Sequence, residues 1–277
     1  MLTGLISDLL RGLLASKAAC GEAALLLKSN TAPADRIRER LPALLASRSW
    51  EVRNLAVKLI EKLRDPEFYP ILTSKLLNGN ESGIVLRNTV AAVRHLGLRD
   101  EQTEEALGRA LHAGYWEVRC EAARALSEMF EPTRERAGLL VQTLRPCRGR
   151  GGAIRFGERN FEVRSAVAVA LGRCSDGSVA QPVLEALAED QHWMVRHQAA
   201  VALVELSRRC PGCAPAAAQT LERIDLLGDG CRSDFPFPQA VASLQSIVLN
   251  GLAHTDAAAI RKHYIDMKRG WNRRTRA

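Results

Sequence analysis

The stretch WEVRNLAVKLIEKL, beginning at Trp50, sets an apolar pattern that returns at Trp116, Phe161 and Trp193. Counted from the valine of each copy (Val52, Val118, Val163 and Val195), apolar residues fall at +4, +7, +8 and +11, as in Ala56, Leu59, Ile60 and Leu63, or Ala199, Ala202, Leu203 and Leu206. That spacing draws one stripe along an α-helix. An arginine follows each valine: Arg53, Arg119, Arg164 and Arg196. A further copy begins at Leu86 and Arg87 with Val90 and Val93 in register. It carries Arg94 at +8 and Gly97 at +11, which makes it the weakest member.

The five arginines are separated by 34, 32, 45 and 32 residues, and a period in the thirties marks stacked helical hairpins. A second amphipathic segment precedes each copy, such as PEFYPILTSKLLNG from Pro66 or VAQPVLEALAED from Val179, so two helices per unit are expected. One hairpin cannot bury both of its faces, whereas stacked neighbours share a continuous core; repetition supplies the missing wall. The aromatic residues at the head of each copy are expected to pack over the turn between the two helices.

The pattern D-x-x-x-x-V-R-x-x-A resembles the HEAT repeat in its short bacterial-type form, and Asp190, Val195, Arg196 and Ala199 match it in full. The resemblance covers about residues 34–208. It implies an all-α fold, an α-solenoid of about five to six stacked helical hairpins in a HEAT/armadillo-like superhelix. It also implies that the Val-Arg pairs, Val52–Arg53, Val118–Arg119, Val163–Arg164 and Val195–Arg196, belong to the scaffold. Ser47, Ala113 and Glu158 stand where the family prefers Asp, so a hydrogen bond from a neighbouring unit's Arg to this Asp is expected at Asp190 alone.

Around this run the chain divides into four parts. Residues 1–30 read as N-terminal capping helix or helices, residues 31–208 as HEAT-like repeats, residues 209–260 as divergent closing helices, and residues 261–277 as a basic tail. The 45-residue spacing places an insertion of about 13 residues between the two helices of one hairpin, within 145–159. Its Gly and Arg content, RPCRGRGGAIRFGER, predicts a mobile loop.

Charge concentrates outside the repeats. The chain carries +8, of which +4 lies in 145–159 and +6 in 261–277, leaving the repeat body slightly negative. A duplex-binding protein needs its positive charge along the array itself. The basic segments instead mark partner-binding candidates: Arg148, Arg150 and Arg155 in the insertion, and Arg269, Trp271, Arg273 and Arg274 in the tail.

Catalytic chemistry has no visible carrier. There is no phosphate-binding loop, no nucleophile elbow, no His-Glu dipeptide of the kind repeated in HEAT-like di-iron hydroxylases, and no pair of histidines at helical metal-ligand spacing. No metal ligand set and no cofactor is expected. The seven scattered cysteines fit a reducing compartment. Cys210 and Cys213, in CPGC, have the spacing of half a zinc site or of a redox dithiol, and a Pro-Gly turn flanked by two thiols is the simplest reading.

The expectation is a non-enzymatic scaffold for protein–protein interaction in the cytoplasm, or in the nucleus if the source is eukaryotic, with no membrane span and an undetermined oligomeric state. The alternative is a nucleic-acid-associated HEAT-like protein, including a DNA glycosylase-like one, that uses the Arg/Gly insertion and the basic tail.

Overall fold

A computed structural model describes residues 33–148 and 154–225, together with Ile265, Asp266 and Arg269. The proposed capping helix, most of the closing segment and nearly all of the tail lie outside the described residues. Eleven α-helices and two short strands follow one another among the described residues. They are α1 (Pro33–Leu45), α2 (Trp50–Leu63), α3 (Tyr69–Asn78), α4 (Gly83–Leu96), α5 (Glu101–Ala110), α6 (Trp116–Met129) and α7 (Arg134–Thr143), then β1 (Pro146–Arg148) and β2 (Ile154–Phe156), then α8 (Phe161–Gly172), α9 (Gly177–Leu187), α10 (Trp193–Arg209) and α11 (Ala214–Arg223). The class is all-α and solenoid-like, as the repeat predicts.

Contacts divide the chain into two compact units between Met129 and Phe130. In the first, α2 packs on α4 and α4 on α6, while α3 packs on α5, giving two layers of like helices. In the second, α8 packs extensively against α10, and α9 lies against both α7 and α10. Helix α8 is therefore buried nearly all round, which explains its FEVRSAVAVALG composition.

The apolar stripe is the core. Val52, Ala56, Leu59, Ile60 and Leu63 are all buried, as are their counterparts after Val118, Val163 and Val195. Small residues let the helices approach closely. A Cβ on Gly172 of α8 would stand 2.7 Å from the Cα of Ala202 in α10, so glycine is required there by the contact rather than by its dihedrals. Capping side chains start the second helices: Ser49, Asn160 and His192, each three residues before its valine, accept from backbone N–H groups of the first turn.

Two expectations are corrected here. The copy starting at Leu86, the weakest member by its stripe, forms a complete helix: Gly97 adopts φ 70° and ends α4 as a left-handed cap. Arg94, at the stripe position where leucine or isoleucine stands elsewhere, reaches Glu121 at 2.8 Å and Glu128 at 2.9 Å on α6. An ion pair with a buried carboxylate takes the place of an apolar contact at that layer.

The insertion is the second correction. Its two ends form an antiparallel ribbon in which Pro146 pairs with Phe156, Cys147 with Arg155 and Arg148 with Ile154. Glycine and arginine pointed to a loop, but Ile154 and Phe156 are strand-forming residues, and β2 packs against α9. Arg150 lies outside the described residues.

Candidate functional site

The Val-Arg arginines do one local job in every copy. Arg53 donates from Nη1 to the carbonyls of Ser47 and Arg48, Arg119 to those of Ala113 and Gly114, Arg164 to those of Glu158 and Arg159, and Arg196 to those of Asp190 and Gln191. The acceptors are always six and five residues back, in the turn between the two helices. A planar guanidinium suits two converging carbonyls, so the arginine closes its own hairpin.

A second set of bonds links hairpins. Arg164 meets Asp190 bidentately, Nε to Oδ2 at 2.7 Å and Nη2 to Oδ1 at 2.9 Å, as expected from the sequence. Arg53 does the same with Glu81, at 2.7 Å and 2.6 Å, which the sequence reading missed. The signal was present: Glu81 precedes Leu86 by the five residues that separate Asp190 from Val195. Each carboxylate also accepts a backbone N–H of its own turn, Glu81 from Ser82 and Asp190 from His192.

Burial alone would raise the pKa of Glu81, but its bonds from Arg53, Ser82 and Lys75 outweigh that and hold the carboxyl at about 2, against an ordinary 4.5. A depressed carboxylate contributes stability that is complete above 4.5 and is lost as pH falls towards 2. Wild type is therefore expected to lose roughly 2–3 kcal/mol more than Glu81→Gln between pH 5 and pH 2, read from denaturant unfolding at the two pH values. Equal losses would remove Glu81 as the titrating group.

The arginines and their acids thus bond to the inter-helix turns and to one another. The heads of the second helices are less covered. Trp50 is 38% exposed, and Tyr115, one residue before Trp116, is equally exposed while its ring lies over Gly83. In the second unit Phe161 stacks on His192 with ring centroids 3.8 Å apart, and His192 in turn neighbours Trp193 at 5.9 Å. Burial first, then Arg164 and Arg196, depress the His192 pKa against the opposing pull of Asp190. The neutral ring can accept through Nδ1 from Met194 N–H and so cap α10. The expected turn packing is visible in this stack.

The hairpin β1–β2 flanks a groove of about 710 Å³ in the second unit. Ile154, Pro182 and Ala186 supply apolar surface from β2 and α9, over the buried Ile224 at the end of α11. Glu185, Glu189, Asp190 and Asp225 stand against Arg196 and Arg223 around them. Arg148 is exposed and, paired with Ile154, shares the groove-side face of the ribbon; Arg155, paired with Cys147, points to the other face. Arg269 is exposed and lies 3.5 Å from Asp266. Trp271, Arg273 and Arg274 lie outside the described residues.

Among the described residues no cluster of three His, Cys, Asp or Glu side chains could hold a metal ion, and no helix is long and apolar enough to cross a membrane. The chain matches no curated protein sequence. Residues 153–235, which span β2, α8, α9, α10 and α11, match the model of the HEAT repeats. With the same hairpin, stripe and turn-closing arginine recurring upstream of that match, a HEAT-repeat assignment is supported for this chain.

Proposed function

We propose that this chain is a non-enzymatic scaffold that binds a protein partner, and that the groove between β2, α9 and the end of α11 receives a segment of it. HEAT repeats in general mediate protein–protein interaction, which sets the class. The observation that carries the reading is the groove's lining. An apolar strip of Ile154, Pro182 and Ala186 is bordered by four carboxylates against two guanidiniums, one of the carboxylates, Asp190, already committed to Arg164. That surface suits a peptide segment with apolar side chains and positive charge, and it repels a phosphate backbone.

The basic elements favour the nucleic-acid alternative only at the hairpin and tail, where Arg148, Arg150, Arg155, Arg269, Trp271, Arg273 and Arg274 lie. A cytoplasmic location is proposed alongside, supported by the scattered spacing of the seven cysteines.

The test is site-specific photo-crosslinking from position 189 in lysate, with and without nuclease, followed by mass spectrometry. A protein captured equally in both conditions is expected. Reversing charge with Glu185→Arg and Glu189→Arg together should weaken that complex by about tenfold. Capture that vanishes with nuclease would favour the alternative and retire the groove.

A further inference from the structure

The CPGC turn between α10 and α11 has no part in the scaffold reading, yet it is built around its two sulfurs. The N–H of Cys213 donates to the carbonyl of Cys210 at 2.9 Å, closing a tight turn. Such a turn brings the two Cα atoms within about 7 Å, and a disulfide spans separations of that order. Both sulfurs converge on Gly177, the first residue of α9. A Cβ there would lie 2.0 Å from Cys213 Sγ and 3.2 Å from Cys210 Sγ, so the two thiols share a seat that only glycine leaves open.

The two differ in access. Cys213 is buried, 4% exposed, while Cys210 is half-buried. Both border a cavity of about 520 Å³ whose other walls include Asp176, Ser178 and Gln181. Solvent and a small solute can reach Cys210 from this cavity. Their electrostatics differ in the same sense. A hydrogen bond from Cys213 first, and then one from the Gly177 N–H, hold the Cys210 thiol below its ordinary value. Burial first, and then Cys210, push Cys213 well above it. The Gly177 N–H belongs to the first turn of α9, where backbone donors lack helical acceptors and favour a thiolate.

We infer that Cys210 and Cys213 form a redox-active dithiol that exchanges with low-molecular-weight disulfides, Cys210 as the attacking sulfur and Cys213 as the resolving one. Cys210 gives up its proton to solvent and its thiolate attacks one sulfur of the small disulfide. A mixed disulfide forms, and the first small thiolate leaves and takes a proton. Cys213 then loses its proton and attacks Cys210 Sγ, forming the Cys210–Cys213 bond and releasing the second small thiol. The two protein thiols are oxidised by two electrons, and one small disulfide is reduced to two thiols.

The test incubates the full-length chain with glutathione disulfide, quenches with acid, and maps cysteine peptides by mass spectrometry. Wild type should acquire an internal Cys210–Cys213 disulfide that excess dithiothreitol reverses. Cys213→Ser should instead accumulate glutathione at Cys210, roughly fivefold or more faster than at the exposed Cys147, which serves as the internal reference. Cys210→Ser should leave Cys213 unmodified. Wild type that keeps both thiols free, or that carries stable glutathione at Cys210 without closing the bond, overturns the proposal. Equal modification of Cys210 and Cys147 in Cys213→Ser does so as well. The wild-type arm decides the matter even if a variant folds poorly.

Discussion

Arg164→Ala is expected to cost about 3–5 kcal/mol of unfolding free energy, the largest loss from any single truncation considered for this chain. The guanidinium and its partner Asp190 are 5% and 7% exposed, so the pair is held almost out of water. Removing the arginine strands the Asp190 carboxylate, which keeps only the His192 N–H as a named donor, and also leaves the carbonyls of Glu158 and Arg159 without their donor. The penalty comes from the groups left behind rather than from the worth of the ion pair itself. The double variant Arg164→Ala with Asp190→Ala should therefore lose less than the two single losses combined, read by denaturant unfolding. A loss below about 1 kcal/mol for Arg164→Ala would show that Asp190 finds another cation or solvent.

Leu203→Ala is expected to cost about 2–5 kcal/mol. Leu203 is completely buried on α10, the helix that packs most extensively on α8. Its neighbour Ala202 already touches Gly172 at the limit of backbone approach, so α8 cannot slide inward to fill the void. The cavity term should be large for that reason. Arg208→Ala at the exposed end of the same helix provides the control, with a change within about 0.5 kcal/mol. Similar melting losses for the two variants would mean that the stripe is misplaced on α10.

The helices of the array were legible because burial imposes a period on the sequence, and all four strong copies bury the positions counted from their valines. The arginines were legible as a repeated position beside each valine, but their acceptor carbonyls in the inter-helix turn were not. What escaped was pairwise. Arg94 reads as an error in a stripe until Glu121 and Glu128 are placed opposite it, and the two ends of that contact lie on different repeats. Glu81 escaped because the copy it belongs to opens with leucine and not valine, which hid its five-residue offset.

The hairpin escaped for a different reason. Three-residue strands give too short an alternation to register, and the glycines and arginines between them dominate the local composition. The groove that it flanks was not legible at all, because Ile154, Pro182, Glu189 and Ile224 come from separate segments and meet only when the repeat folds. The candidate interaction residues named from charge alone therefore include Arg148 on the groove side, but none of the carboxylates.

The base of that hairpin bears on how such arrays diversify. Gly157 donates to the carbonyl of Arg145 at 3.0 Å and Glu158 to that of Leu144 at 3.1 Å, so the chain leaves and re-enters the inter-helix turn at adjacent points. Everything between hangs from that closed base, and closing a longer or shorter excursion across the same gap alters the entropy only slowly with length. The turn thus works as a graft point. Descendants can trade one ribbon for another there and redirect recognition, while selection on the packed helices continues undisturbed.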